Sequence, residues 1–147
     1  LIIMATYDER VINNMKGFEA SMKHFQKFSS VMRGCTDIDL AYERNGRFLF
    51  LEGKSVQENW TKLNVSWGQW FLFKQLRKAI GNQNCKIYYV AYTESGKYDF
   101  FPIGIGRREN KEIVFTKGQH DSISFDSEKE MLEFVGSITK KMERRNR

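Results

Sequence analysis

The most constraining feature of this sequence is an apolar run, Phe48–Leu51, that lies between a turn dipeptide and a charged tripeptide. The dipeptide Asn45-Gly46 readily adopts the positive φ angles of a tight hairpin turn. Two strands are therefore predicted, at residues 37–43 and 47–53, joined by this turn. Because consecutive positions of the second strand are apolar, we expect it to be covered on both faces.

The remaining segments predict a mixed α/β fold. Apolar residues recur at helical spacing in three places, and Ser127 with Glu130 forms a capping box before the third. The predicted helices cover residues 13–32, 66–80 and about 127–142. Further strands are predicted at 86–93, 100–105 and 112–116, the last two as a hairpin around Glu109-Asn110. Pro102 disfavours a central sheet position for the strand that contains it.

Length and composition favour a single domain. At 147 residues, with 41% hydrophobic content, the chain can bury one ordinary core but hardly two. We expect one domain over residues 1–147, with its core at about 14–93 and a C-terminal hairpin and helix at about 99–143. The formal net charge of +6 suits a polyanionic partner.

The cysteines and the hydropathy pattern indicate the cellular setting. Cys35 and Cys85 lack the spacing of a zinc site, and two isolated cysteines do not suggest a disulfide framework. The opening Leu1–Met4 is too short for a signal peptide, and no later apolar run has the length of a membrane span. The sequence therefore predicts a soluble cytoplasmic protein without a membrane partner.

Charged side chains cluster at the end of the apolar strand. Alternation along a strand places Glu52 and Lys54 on the same face. The preceding strand begins with Asp37-Ile38-Asp39, and a tight hairpin would bring one of these aspartates next to Glu52. We prefer Asp39, because Asp37 could simply be a polar residue where the loop meets the strand.

Two carboxylates and a lysine at one sheet edge suit the hydrolysis of a phosphodiester bond. Asp and Glu oxygens bind Mg²⁺ while leaving coordination positions for water and a phosphate oxygen. Lys54 could orient or deprotonate the attacking water, or neutralise charge in the transition state, and the sequence leaves these roles open. The alternative is that Glu52 and Lys54 form an ordinary solvated ion pair.

Asp39, followed by Glu52-Gly53-Lys54 at the end of an apolar strand, resembles the signature of the PD-(D/E)XK nuclease superfamily. The proline of that signature is absent, at a position that varies widely among its members. Lys16–Glu19 on the first helix also resembles the opening of Holliday junction resolvases in this superfamily, with the glutamate one position earlier. The resemblance covers residues 14–93 and implies a restriction-endonuclease-like core, in which a mixed β-sheet is flanked by helices.

The resemblance also implies roles for individual residues. The implied ligands of a Mg²⁺ or Mn²⁺ ion are Asp39, Glu52, the Gly53 carbonyl and Glu19. Lys54 would be the catalytic lysine. Related nucleases often carry a glutamine beside the metal site on the helix that follows, so Gln69 is an auxiliary catalytic candidate. The alternative is that Gln69 makes a structural hydrogen bond.

The helix predicted at residues 66–80 carries aromatic and basic side chains on one face when its residues are placed at 100° steps. They are Trp67, Trp70, Phe71, Lys74, Arg77 and Lys78. This face could stack on bases and pair with phosphates, whereas the alternative is that its aromatics pack beneath the C-terminal elements. The opposite face gathers Gln69, Leu72, Phe73, Leu76 and Ile80. Arg107, Arg108 and the basic C-terminal tail could add phosphate contacts.

These patterns together predict a hydrolase, a Mg²⁺-dependent endonuclease with DNA as the expected substrate, although the sequence alone does not decide between DNA and RNA. Structure-selective cutting, as in junction resolvases, is a refinement of that hypothesis. Because cutting two strands needs two sites, we also expect a homodimer. The alternative function is a non-catalytic module that binds nucleic acid or a protein partner with the same fold.

Overall fold

A computed structural model describes residues 38–144, together with Lys23 and Lys27. Lys23 and Lys27 are helical, and the rest of the helix predicted at residues 13–32 lies outside the described residues. Asp37 and Glu19 lie outside them as well, so the choice of Asp39 over Asp37 remains a prediction.

The described segment contains eight strands, two α-helices and one short 3-10 helix. The strands are β1 Leu40–Arg44, β2 Arg47–Ser55, β3 Lys62–Ser66, β4 Cys85–Tyr92, β5 Tyr98–Pro102, β6 Arg107–Glu109, β7 Glu112–Thr116 and β8 Ile123–Phe125. The helices are α1 Trp67–Ile80 and α2 Glu128–Glu143, and the 3-10 helix is Ile103–Ile105.

The larger sheet is mixed, as predicted. Its strand order is β1-β2-β4-β5-β8, in which only β2 and β4 run parallel to each other. The chain passes from β2 to β4 through β3 and α1, because parallel neighbours need a crossover connection. A smaller antiparallel sheet has the order β3-β7-β6. The prediction of a mixed α/β class is confirmed.

Both faces of the larger sheet are covered, which explains the apolar run in β2. One face packs against α1 and the smaller sheet in a core that includes Phe50, Leu63, Phe73, Tyr89, Phe101, Ile113 and Phe115. The other face packs against α2 in a core that includes Leu49, Tyr88, Val90, Phe100, Ile138 and Met142. Alternate residues of β2 therefore enter different cores, and both sets must be apolar.

The hairpin between β1 and β2 forms at the predicted dipeptide. Asn45 and Gly46 have φ angles of 55° and 74°, and Arg44 pairs with Arg47 across the turn. This fixed turn sets the register as far as the pair Leu40–Leu51. Strand β1 begins at Leu40 and not at residue 37, so Asp39 lies just outside the ladder.

The predicted C-terminal hairpin is wrong in its pairing. Strand β5 pairs with β4 and β8, whereas β7 pairs with β3 and, across a turn at Asn110 with φ 55°, with β6. The reason is the 3-10 helix, which ends β5 and redirects the chain into the smaller sheet. Pro102 is compatible with the non-edge strand β5 because β8 pairs only with Tyr98–Phe100.

Two strands, β3 and β8, were not predicted. Strand β3 alternates buried Leu63 and Val65 with exposed neighbours, a period-two pattern that is too short to stand out among polar residues. Strand β8 is three residues long. Both pair with strands that are distant in sequence, so no local turn indicated them.

Both helices begin at serine caps. Ser66 accepts a hydrogen bond from the Gln69 amide at 3.3 Å, and Ser127 accepts one from the Glu130 amide at 3.2 Å, as predicted. The predicted apolar face of α1 needs one correction, because Leu72 is 37% exposed while Trp70 packs against the core. Within residues 38–144, no helix is long and apolar enough to cross a bilayer.

Candidate active site

Asp39 and Glu52 lie opposite each other where the hairpin ladder ends. The backbone amide of Asp39 donates to Glu52 Oε2 at 3.3 Å, and the amide of Gly53 donates to Asp39 Oδ2 at 2.8 Å. These contacts follow from the register, because the pair Leu40–Leu51 leaves Asp39 opposite Glu52. The structure thus brings Asp39, Glu52 and Gly53 together, as the sequence suggested.

Lys54 joins this cluster on the same side of β2. Its Nζ lies 3.5 Å from Glu52 Oε1, with about a third of its side chain exposed. Glu52 is only 5% exposed, so the pair differs from the solvated surface ion pair considered as the alternative. Glu52 is thus nearly buried, whereas the partly exposed Lys54 ammonium can still contact a ligand.

Gln69 reaches the site from α1. Its Nε2 donates to Glu52 Oε1 at 3.2 Å, so this oxygen contacts both Gln69 and Lys54. The Ser66 cap fixes the first turn of α1, which contains Gln69 and no acidic residue. This hydrogen bond is compatible with both predictions for Gln69, an auxiliary catalytic role and a structural hydrogen bond.

Burial and charge set the protonation of Glu52. Loss of solvent is the largest effect and raises the pKa of Glu52, and the negative charge of Asp39 raises it further. Lys54 and the Asp39 amide act in the opposite direction without cancelling the rise. Because the ionised form of Glu52 is disfavoured here, a positive ion beside it would stabilise that form.

The donor set fits a hard divalent cation. Asp39 and Glu52 supply carboxylate oxygens, which Mg²⁺ and Mn²⁺ prefer. A Cβ at Gly53 would lie 3.2 Å from the ring of Tyr92 and 3.6 Å from Asp39 Oδ2, so glycine leaves space beside the aspartate. In the part of the chain that the structure describes, no group of three or more acidic, His or Cys side chains is assembled. Glu19, the third predicted acidic ligand, lies outside that part.

Tyr89 adds a polar group that the sequence analysis did not identify. It pairs in register with Glu52 on the neighbouring strand, and its side chain is completely buried. Its hydroxyl has no hydrogen-bond partner among the described residues. Burial and the nearby charge of Glu52 both raise the pKa of Tyr89. The sequence did not indicate that Tyr89 lies opposite Glu52, because the register between the parallel strands β2 and β4 cannot be read from it.

The proposed nucleic-acid-binding residues separate into two groups. Trp67, Phe71, Lys74 and Lys78 have exposed side chains on one side of α1. Trp70 and Arg77 are only partly exposed. The indole N–H of Trp70 donates to the Ile103 carbonyl at 2.8 Å, and the Nε of Arg77 is buried without a partner among the described residues. Trp67 and Phe71 are therefore exposed enough to contact a ligand, as the nucleic-acid-binding prediction requires, whereas Trp70 packs against the protein, as the alternative predicted.

Two of these aromatics form a stacked pair at the helix surface. The rings of Trp67 and Phe71 lie 4.8 Å apart with an interplanar angle of 12°. The Arg108 guanidinium from β6 lies 5.8 Å from the centre of the Trp67 ring, and Lys74 Nζ lies 4.4 Å from that of Trp70. Arg107 is exposed as well, whereas the C-terminal Arg145 and Arg147 lie outside the described residues.

Comparison with known proteins finds similarity among solved structures. No family model and no curated protein matches the chain. A solved structure of a Holliday junction resolvase from the archaeal hyperthermophile Archaeoglobus fulgidus is similar, with a TM-score of 0.39 and 15% sequence identity. The match covers 48% of this chain and 55% of the resolvase, about half of each. A likeness of this size carries no argument about activity, so the candidate site stands on its own geometry.

Proposed function

We propose that this chain is a metal-dependent nuclease that hydrolyses phosphodiester bonds in DNA. The observation that carries the proposal is the contact between Asp39 and the buried Glu52, with Lys54 beside them at the end of β2. A buried glutamate whose pKa is raised, with an aspartate opposite it and a lysine beside it, suits a site for a cation and a phosphate. The PD-(D/E)XK-like order of these residues along the chain agrees with the proposal.

Each residue of the site has a distinct role in this proposal. Asp39 and Glu52 would hold Mg²⁺ or Mn²⁺, with the Gly53 carbonyl and Glu19 as further candidate ligands. The bound ion supplies a water of lowered pKa and polarises the phosphate. Lys54 would donate to the phosphate oxygens or to the attacking water. Gln69 keeps the Glu52 carboxylate in position through its hydrogen bond.

We infer in-line attack by water without a covalent enzyme intermediate. Cys85 is the thiol that the structure describes, and burial raises its pKa to about 11, which leaves it a poor nucleophile at neutral pH. It lies at the opposite end of β4 from Ala91, which pairs with Lys54. We therefore assign the activation of the attacking water to Asp39, Glu52 and Lys54.

The proposal is tested by cleavage of plasmid and branched DNA with Mg²⁺, Mn²⁺ or EDTA. Glu52→Gln and Lys54→Met should each lower the cleavage rate at least about a hundredfold, since single electrostatic contacts in active sites have effects of this order. The matched controls are Glu58→Gln and Lys86→Met, which change the same charges at exposed residues away from the site. The controls should cleave at the wild-type rate.

The rival function is a binding module on the same scaffold. It would be favoured if the wild type and both site variants leave every substrate intact while binding it with equal affinity. Cleavage of RNA in place of DNA would change the substrate but keep the site. Sedimentation of the wild type tests the proposed homodimer independently of cleavage.

A further inference from the structure

The exposed aromatics at the start of α1 form a surface that the proposed chemistry does not use. We call Trp67, Phe71 and Arg108 the aromatic platform. Trp67 is 37% exposed and Phe71 is 42% exposed, although both are large apolar side chains. Their near-parallel stack covers one face of each ring and holds the two rings together, so their outer faces and edges remain for a ligand. Trp70, in the same helix, instead packs against the core.

Cations surround the aromatic platform. Lys74 and Lys78 are exposed on the same side of α1, about one and two turns after Phe71. Arg108 lies over Trp67, and its Nε donates to the Asn110 carbonyl at 3.3 Å, which helps to fix the guanidinium. The nearest acid in β6, Glu109, is 3.9 Å from Lys62 and alternates to the face opposite Arg108.

We propose that the aromatic platform stacks on unpaired bases, so that the substrate is nucleic acid with single-stranded nucleotides beside the cleaved bond. This proposal rests on the nuclease function proposed above. Aromatic side chains in a basic groove bind single strands by stacking, regardless of sequence. In a duplex the base faces are covered by their neighbours, so an intact duplex offers the platform only phosphates.

The platform and the candidate site belong to the same end of one helix. Gln69, which contacts Glu52, lies between Trp67 and Phe71 in sequence. At 100° per residue it projects from the opposite side of α1, so a strand that reaches both would pass around the helix, over a path longer than its diameter of about 10 Å. At roughly 3.4 Å per nucleotide, that path spans more than about three steps of a stacked strand. Bases held on the platform would therefore lie a few nucleotides from the cleaved phosphate.

Charge favours nucleic acid over a second copy of this chain as the occupant. Two copies that met through this patch about a two-fold axis would bring Arg108, Lys74 and Lys78 close to their own equivalents. Such a juxtaposition of like charges is unfavourable. A polyanion with exposed ring faces satisfies both the cations and the apolar rings.

The first experiment measures binding of the full chain to labelled DNA in EDTA. The probes are an oligothymidine, a blunt duplex of equal length and a fork with unpaired arms. The double variant Trp67→Ala/Phe71→Ala should weaken binding to the oligothymidine and the fork by about tenfold or more. Binding to the blunt duplex should change by less than about twofold. Leu132→Ala, which removes another exposed apolar side chain from α2, should behave as wild type.

The second experiment uses tryptophan emission as a direct signature of stacking. Oligothymidine should quench the emission of the wild type, because Trp67 is more exposed than the buried Trp60 and the partly buried Trp70. Trp67→Phe should lose most of this quenching while its affinity stays within about threefold, since phenylalanine still stacks. This conservative variant also guards against a folding defect in the double variant.

The outcomes separate this proposal from the nuclease proposal. Equal losses for duplex and single strand, or no loss for either, would overturn the platform. A shift to monomers in the double variant with unchanged DNA binding would assign the surface to a chain–chain interface, which also overturns it. If oligothymidine binding depends on Trp67 and Phe71 but no substrate is cut, the platform stands and the nuclease proposal fails.

Discussion

At the scale of single residues, Glu52 is where the demands of folding and of the proposed function conflict. A carboxylate that is 5% exposed loses most of its hydration, and Asp39 adds a like charge beside it. Lys54 and Gln69 compensate only in part. Conflict of this kind between stability and local charge is typical of functional sites.

The conflict predicts that Glu52→Gln stabilises the protein at neutral pH in EDTA. The folded-state pKa of Glu52 lies above its unfolded value, so ionisation costs stability as the pH rises through the folded pKa. The neutral amide avoids this cost. Thermal melts should show an increase in Tm of a few degrees, since about 1 kcal/mol shifts Tm by about 2–4 °C in a chain of this size.

The pH dependence of that increase identifies its cause. Below the unfolded pKa of a glutamate, about 4.3, both proteins are neutral at this position and the Tm difference should vanish. A variant that melts below the wild type at neutral pH would show that Glu52 and Lys54 form a stabilising ion pair, which would contradict the interpretation of the cluster as a cation site.

At the scale of secondary-structure elements, α1 connects the scaffold to the site. Ser66 caps the helix by accepting from the Gln69 amide, and the Gln69 side chain contacts Glu52. Ser127 makes the corresponding cap on α2, which covers the other face of the sheet. The two caps are chemically alike, but only the Ser66 cap belongs to the helical turn that carries a residue of the candidate site, Gln69.

We predict that Ser66→Ala and Ser127→Ala have similar effects on stability and different effects on cleavage. Loss of a serine cap typically lowers the free energy of unfolding by about 1 kcal/mol. Ser66→Ala should also reduce cleavage several-fold, because a frayed first turn no longer holds Gln69. Urea denaturation and cleavage rates check both expectations. Equal cleavage by the two variants would show that the position of Gln69 does not matter.

The same elements show what could be predicted from the sequence. The neighbourhood of Asp39 and Glu52 was predictable, because one turn dipeptide and strand alternation fix a local register. The pairings of β3 and β8 were not, since each joins a strand far away in sequence and no turn residue specifies it. The position of Tyr89 opposite Glu52 could not be predicted either, because it depends on the parallel pairing of β2 and β4.

The direction of α1 was predictable only in part. Helical spacing placed the apolar residues on one face of α1 and the aromatic and basic residues on the other. It did not show which residues at the borders between these faces point toward the sheet. Trp70 turned out to pack inward and Leu72 outward, a rotation set by the position of the 3-10 helix that accepts the Trp70 N–H. Tertiary contacts decide such rotations, and they leave no local pattern.

At the scale of the whole molecule, the excess of basic residues supports binding to a polyanion. The net charge of +6 attracts nucleic acid without regard to sequence, whereas the aromatic platform would select for unpaired bases. These two contributions respond differently to salt, because only the release of counterions depends strongly on ionic strength.

We predict that Lys74→Ala/Lys78→Ala weakens binding to every DNA probe and reduces its salt dependence. For single strands, each lost phosphate contact should reduce the slope of log K against log salt concentration by about 0.7. The charge-matched control is Lys86→Ala/Lys129→Ala, at exposed residues of β4 and α2, which should keep the wild-type slope. If both double variants change the slope equally, binding depends on net charge alone and not on the face of α1.

Binding of one divalent cation by Asp39 and Glu52 can be seen by anomalous diffraction from crystals grown with Mn²⁺. We expect a Mn²⁺ peak within bonding distance of both carboxylates in the wild type and its loss in Glu52→Gln crystals grown under the same conditions. A wild-type map without a peak there, with Glu52 still held only by Lys54 and Gln69, would contradict this expectation.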